Sequence, residues 1–172
     1  MKEVVYNNSI VSVVEQNSES NHEKKIIILE APNWVNIIPV TKNNEVVFVR
    51  QFRHGISSET LEIPGGMIDD HEAPNLAAGR ELFEETGYVC EEIIELGNIS
   101  PNPALFNNRV FTFIGKGSYL KDANIKNQDE INEVELIDLS DVPKLFKTGM
   151  IDHALVIAAF HLLGLRDKNY II

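Results

Sequence analysis

Gly66-Met67-Ile68-Asp69-Asp70-His71-Glu72, followed seven residues later by Arg80-Glu81-Leu82-Phe83-Glu84-Glu85-Thr86-Gly87-Tyr88, is the stretch on which the reading of this 172-residue chain turns. Pro74 suits the first turn of a helix, Leu76, Ala77 and Phe83 fall along an apolar side, and Gly87 is a natural stop. Glu81, Glu84 and Glu85 then stand at i, i+3 and i+4, so their carboxylates share one face. They also sit in the C-terminal half, where the helix dipole disfavours negative charge, and like-charge pairs cost about 0.2–0.5 kcal/mol each. A helix built only for stability carries acids in its first turn and lysines in its last. The reversed arrangement points to a divalent cation, and an all-oxygen donor set suits Mg²⁺ or Mn²⁺. A solvated face is the ordinary fate of helical glutamates, but the number of fixed positions here sets this stretch apart.

Upstream of the helix, β-rich runs dominate: Val4 to Val14, Lys25 to Leu29, Trp34 to Val40 and Glu45 to Phe52, with Asn43-Asn44 reading as a tight turn. Glu59 to Ile63 forms a strand that enters the helix through Pro64-Gly65-Gly66, whose glycines permit an unusual turn. Downstream, Val89 to Leu96, Arg109 to Ile114 and Glu133 to Leu139 read as strands. Ser140 is placed to cap a short helix ending at Gly149, and Asp152 to cap a final helix from His153, apolar on most faces and therefore expected between layers. Many strands with a few helices indicate an α+β fold with helices flanking a mixed sheet.

The length fits one domain, residues 1–172, and the 44% hydrophobic and 24% charged residues are those of an ordinary globular chain. A net charge of −11 argues against a nucleic acid polymer as partner, since neutralising phosphates needs clustered Lys and Arg. Cys90 is the single cysteine, which excludes an intrachain disulfide and suits a reducing compartment. Met1-Lys2-Glu3 lacks a signal or transit pattern, and Ala154 to Leu165 is too short to span a membrane, so a cytoplasmic location is expected.

The segment fits G-x5-E-x7-R-E-U-x-E-E-x-G-U, where U is a bulky apolar residue, with Tyr88 where an aliphatic side chain is commoner. This resembles the signature box of the Nudix hydrolases, and the resemblance implies an α/β/α sandwich. It implies metal ligation by Glu81, Glu84, Glu85 and the Gly65 carbonyl, with Arg80 orienting the carboxylates and Glu72 fixing the loop. Beyond the box, about Trp34 to Leu163 is similar to the ADP-ribose and nucleoside-diphosphate-sugar pyrophosphatases. Val47 to Arg53 resembles their Gln-aromatic-Arg strand, and Leu61-Glu62-Ile63-Pro64-Gly65-Gly66 their Leu-Glu-apolar-Pro-Ala-Gly segment, with Gly65 replacing alanine. Pro103, sixteen residues past Gly87, has the spacing associated with the ADP-ribose enzymes.

The expected chemistry is Mg²⁺-dependent hydrolysis of a phosphoanhydride, with cations on the phosphate oxygens and water as attacking group. Glu130, or second Glu133, falls where related enzymes keep a loop carboxylate that assists the metal or takes a proton from water. Arg53 is a candidate for phosphate contact, with Arg50, Glu62 and Pro103 as further substrate-site candidates, and Trp34 for stacking on the base, worth about 1–3 kcal/mol. None of the five histidines shows metal-ligand spacing, and none is assigned to catalysis. The resemblance also implies a homodimer in which strands of about residues 1–40 contribute. Two rivals remain: a Nudix hydrolase of another class (dinucleoside polyphosphate, coenzyme A or oxidised nucleotide), and a nucleotide-sugar sensor that does not cleave.

Overall fold

The computed structural model describes residues 2–123 and 131–166, with the side chains of 131 and 132 outside that description. Strands β1 (Lys2–Asn7), β2 (Ser12–Asn17) and β3 (Lys25–Glu30) form an antiparallel sheet in that order. The single strand expected from Val4 to Val14 is a hairpin instead. Asn8 turns the chain, its Oδ1 accepting the N–H groups of Ile10 and Val11 at 2.8 Å each, a local bond that competes with strand pairing.

The second sheet holds β4 (Trp34–Thr41), β5 (Glu45–Arg53), β6 (Ser58–Glu62), β7 (Gly65–Met67), β8 (Tyr88–Val89), β9 (Glu92–Ile99), β10 (Val110–Leu120) and β11 (Ile131–Asp138). Its path runs β11-β5-β4-β10-β8, with β6 on β5, β7 on β4 and β9 on β10. The β4–β10 pair is parallel and the others are antiparallel, so the sheet is mixed, as expected. The run from Val89 to Leu96 divides in two where Glu91 N–H bonds the Lys116 carbonyl between β8 and β9. β10 continues past Ile114 to Leu120 through an irregular register at Gly117, whose φ of 63° only glycine adopts easily.

Alternation along the central strands sorts the core into two layers. Val35 and Ile37 of β4 and Phe113 of β10 pack on Ala77, Ala78 and Leu82 of helix α1 (Pro74–Thr86). Ile38, Val40, Phe48 and Ile114 pack on the opposite side with Val156, Ala159, Phe160 and Leu163 of α3 (Ala154–Arg166). Burial of each of the Val, Ile, Leu and Phe side chains contributes about 1.5–3 kcal/mol, so the two layers clamp the sheet between them. The α/β/α sandwich is present.

Gly87 ends α1 at φ 74°, and Gly149 ends α2 (Val142–Thr148) at φ 72°, both in the left-handed conformation expected of helix stops. The cap before α2 differs from expectation: the Asp138 carboxylate accepts the Ser140 N–H at 2.8 Å and its hydroxyl at 2.7 Å, opening a short 3₁₀ turn. The final helix begins at Ala154 and forms an outer layer rather than lying between layers. Ile157 and Leu165 are exposed on its outer side.

Candidate active site

The chain from β6 through β7 into α1 carries the three carboxylates gathered at one cleft of about 520 Å³. Glu62, Gly65, Gly66, Glu81, Glu85 and Arg53 line it, with Trp34, Asn36, Met67 and Leu155 among its other walls. β7, absent from the sequence reading, explains the two glycines. It lies so close to β4 that a Cβ on Gly65 would strike the Val35 carbonyl, and one on Gly66 would come within 2.5–2.7 Å of the Glu81 carboxylate. This close approach accounts for Gly65 where the resemblance has alanine.

Arg80 organises the acidic side. Its Nη1 donates to Glu81 at 2.8 Å and to Glu84 at 3.1 Å, while Nε and Nη2 grip Glu72 at 3.0 and 2.9 Å. Nη2 also reaches the Met67 carbonyl at 3.0 Å, and Glu72 accepts the Asp69 N–H at 3.2 Å. Glu72 thus holds the loop, and Arg80 aims the carboxylates. The hydrogen bonds from Arg80 hold the Glu72 carboxyl below its ordinary range, and those same bonds raise the guanidinium.

Glu81 and Glu85 are nearly enclosed, 8% and 4% exposed. Burial raises both carboxyls, more than Arg80 lowers Glu81. Glu85 is pushed up to about 8, first by burial and then by the charge of Glu81, against the hydrogen bond it accepts from Gly65 N–H at 3.1 Å. Two neighbouring buried carboxylates without enough protein cations are a donor set suited to a hard divalent ion, so these residues fit Mg²⁺. Among the described residues, no three acidic, histidine or cysteine side chains are gathered in metal-holding geometry, and Glu84 pairs with Arg80.

On the facing wall Glu62, 3% exposed, accepts Arg53 Nε and Nη2 at 2.7 Å each and the Thr60 hydroxyl at 2.5 Å. Burial alone pushes its carboxyl up, but these hydrogen bonds outweigh it and hold the group below its usual range. Trp34 is half-buried at the rim, its ring 6.0 Å from that of Phe106.

Other expected site residues lie elsewhere. Arg50 does not line the cleft and is committed to an ion pair with Glu135, its diagonal neighbour on β11 two positions from its direct partner Glu133. Pro103 is exposed in a turn closed by Leu105 and Phe106 N–H groups on the Asn102 carbonyl, and it is not a cleft residue. Glu133 is exposed on β11 opposite Arg50, outside the cleft lining. Glu130 lies outside the described residues.

Two polar residues of the cleft, Asn36 and His153, have no motif to announce them, and a third, Gln51, belongs to the Gln-aromatic-Arg strand but was not among the expected site residues. The one available signal was a polar residue inside the apolar run Val35 to Val40. Ile10, at the tip of the β1–β2 hairpin, also reaches the cleft.

Residues 32–160 match the NUDIX domain, three-quarters of the chain, and the chain belongs to that family. It is 34% identical over 113 residues to the methanol dehydrogenase activator of Bacillus methanolicus, a match covering 66% of this chain and 60% of that protein. It is 27% identical over 169 residues to the ADP-ribose pyrophosphatase of Bacillus subtilis, covering 96% of this chain and 91% of that protein. With the ADP-sugar pyrophosphatase of Mus musculus it shares 34% identity over 148 residues, 78% of this chain and 66% of the mouse protein. The fold is similar to a crystal structure of an ADP compounds hydrolase, with a TM-score of 0.79 and 20% identity over 98% of this chain and 92% of that one.

Proposed function

We propose that this protein hydrolyses the pyrophosphate bond of a nucleoside diphosphate sugar, ADP-ribose being the first candidate, to a nucleoside monophosphate and a sugar phosphate. The observation that carries the proposal is the pairing, in one cleft, of the buried carboxylates Glu81 and Glu85 with the Arg53–Glu62 ion pair and the Trp34 ring. The names of the Bacillus subtilis and mouse relatives support the substrate class.

Glu81, Glu85 and Glu84, with the Gly65 carbonyl, would hold Mg²⁺, or Mn²⁺ in its place. Held there, the ion would offset charge on the phosphate oxygens and would lower the pKa of a coordinated water. Arg80 keeps Glu81 and Glu84 aimed, and Glu72 keeps Arg80 and the loop in register. Arg53, fixed by two bonds to Glu62, presents its charge to the diphosphate, and Trp34 offers a face for the base. Glu130, the residue that precedes β11 in the sequence, is the candidate to take the proton from the attacking water. The exposure of Glu133 outside the cleft makes it the weaker of the two.

The proposal includes a single catalytic domain over residues 1–172 in a cytoplasmic homodimer. Support for the dimer comes from β1, whose Val4, Val5 and Tyr6 are 58%, 52% and 56% exposed. No helix among the described residues is long and apolar enough to cross a membrane.

The test is release of phosphate by a coupled phosphatase from ADP-ribose, GDP-mannose, UDP-glucose, diadenosine polyphosphates and nucleoside triphosphates, with and without Mg²⁺. Preferential Mg²⁺-dependent cleavage of a nucleotide sugar is expected. Inorganic pyrophosphate from triphosphates would move the protein to another substrate class, and binding without cleavage would make it a sensor.

A further inference from the structure

His153 stands just before α3, and its ring lines the same cleft as Glu62. Its Nε2 is 3.8 Å from Glu62 Oε2, too far for a direct hydrogen bond. Its Nδ1 is buried with no hydrogen-bond partner among the described residues. A proton on Nδ1 would leave a buried N–H unpaired, whereas a proton on Nε2 faces the cleft, so the ring meets a ligand as an Nε2–H donor.

The two oxygens of Glu62 are unequally used. Oε1 accepts both Arg53 Nε and the Thr60 hydroxyl, while Oε2 accepts Arg53 Nη2 alone and keeps acceptor capacity 3.8 Å from His153 Nε2. A donor and an acceptor thus face each other across a gap slightly longer than one hydrogen bond. The group complementary to that gap both accepts and donates, as a hydroxyl does. A phosphate oxygen only accepts, and would meet the Glu62 lone pair with no proton to offer it. The apparatus is also held in place: Asn36 Nδ2 donates to the Leu155 carbonyl at 3.4 Å, tying the central strand β4 to the first turn of α3 beside His153.

We propose that His153 and Glu62 form a hydroxyl-reading pair that selects the sugar half of the substrate, His153 Nε2 donating to a sugar hydroxyl whose own proton goes to Glu62 Oε2. The inference rests on the nucleotide-sugar reading above and assigns the specificity-determining contact within it. His153 is a binding residue in this account and takes no part in proton transfer at phosphorus.

The test compares ADP-ribose with an ADP alkyl ester, which keeps the adenosine and the diphosphate and lacks only the hydroxyls of the distal sugar, in wild type, His153→Phe and His153→Gln. Loss of one hydrogen-bonded pair is expected to lower the ratio of kcat/KM for ADP-ribose to that for the ester about tenfold in His153→Phe, through KM rather than kcat. His153→Gln, which restores a donor amide, is expected to recover most of that ratio. A ratio unchanged in His153→Phe would overturn the proposal, as would an equal ratio in the phenylalanine and glutamine variants. His153→Leu repeats the comparison if the phenylalanine variant does not fold. If wild type cleaves neither compound, the hydrolase reading fails on its own. Calorimetric binding of the same two compounds then decides the hydroxyl pair: selective weakening of ADP-ribose in the variant supports it, and equal weakening overturns it.

Discussion

Glu85 Oε2 accepts the backbone N–H of Gly65 at 3.1 Å, so the last turn of α1 is tied directly to the strand β7 that precedes the helix. The bond fixes one carboxylate oxygen against β7 at the wall of the cleft. Glu85→Gln keeps the shape and an oxygen for Gly65 but removes the charge. Its kcat/KM on the preferred nucleotide sugar with Mg²⁺ is expected to fall at least about 100-fold, the scale of losing a positioned charged group in a catalytic site. Turnover near the wild-type rate would remove Glu85 from the metal site.

The same residue sets a pH dependence in the metal-free protein. Unfolded, Glu85 ionises near its ordinary 4.5, and folded it is pushed up to about 8 by burial and by Glu81. Between those values the folded chain retains a proton that the unfolded chain has released. The stability from Glu85 is therefore whole below pH 4.5, declines as pH rises and is gone above about 8. Glu62, held below its ordinary value by Arg53 and Thr60 despite burial, acts in the opposite sense, its contribution being lost as pH falls below 4.5. Thermal melts without metal from pH 5 to 8.5 should show wild type losing Tm relative to Glu85→Gln as pH rises. Because binding of a cation releases that proton, Mg²⁺ should raise Tm more at pH 8 than at pH 6. Parallel profiles for the two proteins would contradict the assignment.

Gly66→Ala separates the site from the fold. The three atoms nearest the new Cβ all belong to the Glu81 carboxylate, at 2.5–2.7 Å, and Arg80 Nη1 holds that carboxylate in place at 2.8 Å. Relief requires Glu81 to leave Arg80 and the cleft. The expected result is at least about a tenfold loss of Mg²⁺ affinity by calorimetry, with Tm lowered by no more than about 4 °C for a domain of this size. Unchanged Mg²⁺ affinity would mean that Glu81 in its present position does not bind the ion.

The proposed dimer depends on β1, which is exposed along its whole length. Wild type is expected to elute at twice 19.4 kDa and Val5→Asp near the monomer mass, since a charge in an apolar interface is poorly compensated. Elution of wild type as a monomer would remove this part of the proposal.

Local pattern was sufficient where the decisive interactions are local. Pro74 and Gly87 bounded α1 because a fixed φ suits a first turn and a left-handed glycine ends a helix. Arg80 and Glu84 were legible as neighbours because four residues make about one helical turn. Asn8 could be read as a break-former, but its two bonds to the following N–H groups decided that the first strand would fold back as a hairpin.

By itself, then, the sequence determined the α+β class, the acidic helix and the family resemblance, all of which depend on spacing along one segment. Only the tertiary structure decided that Glu62 and Arg53 pair and that Arg50 turns to Glu135. It also closed β7 on β4 and brought His153 to Glu62 across 91 positions of chain. These contacts depend on sheet register and on which side of the sheet each helix packs, quantities set by the burial of the whole core rather than by any local run of residues.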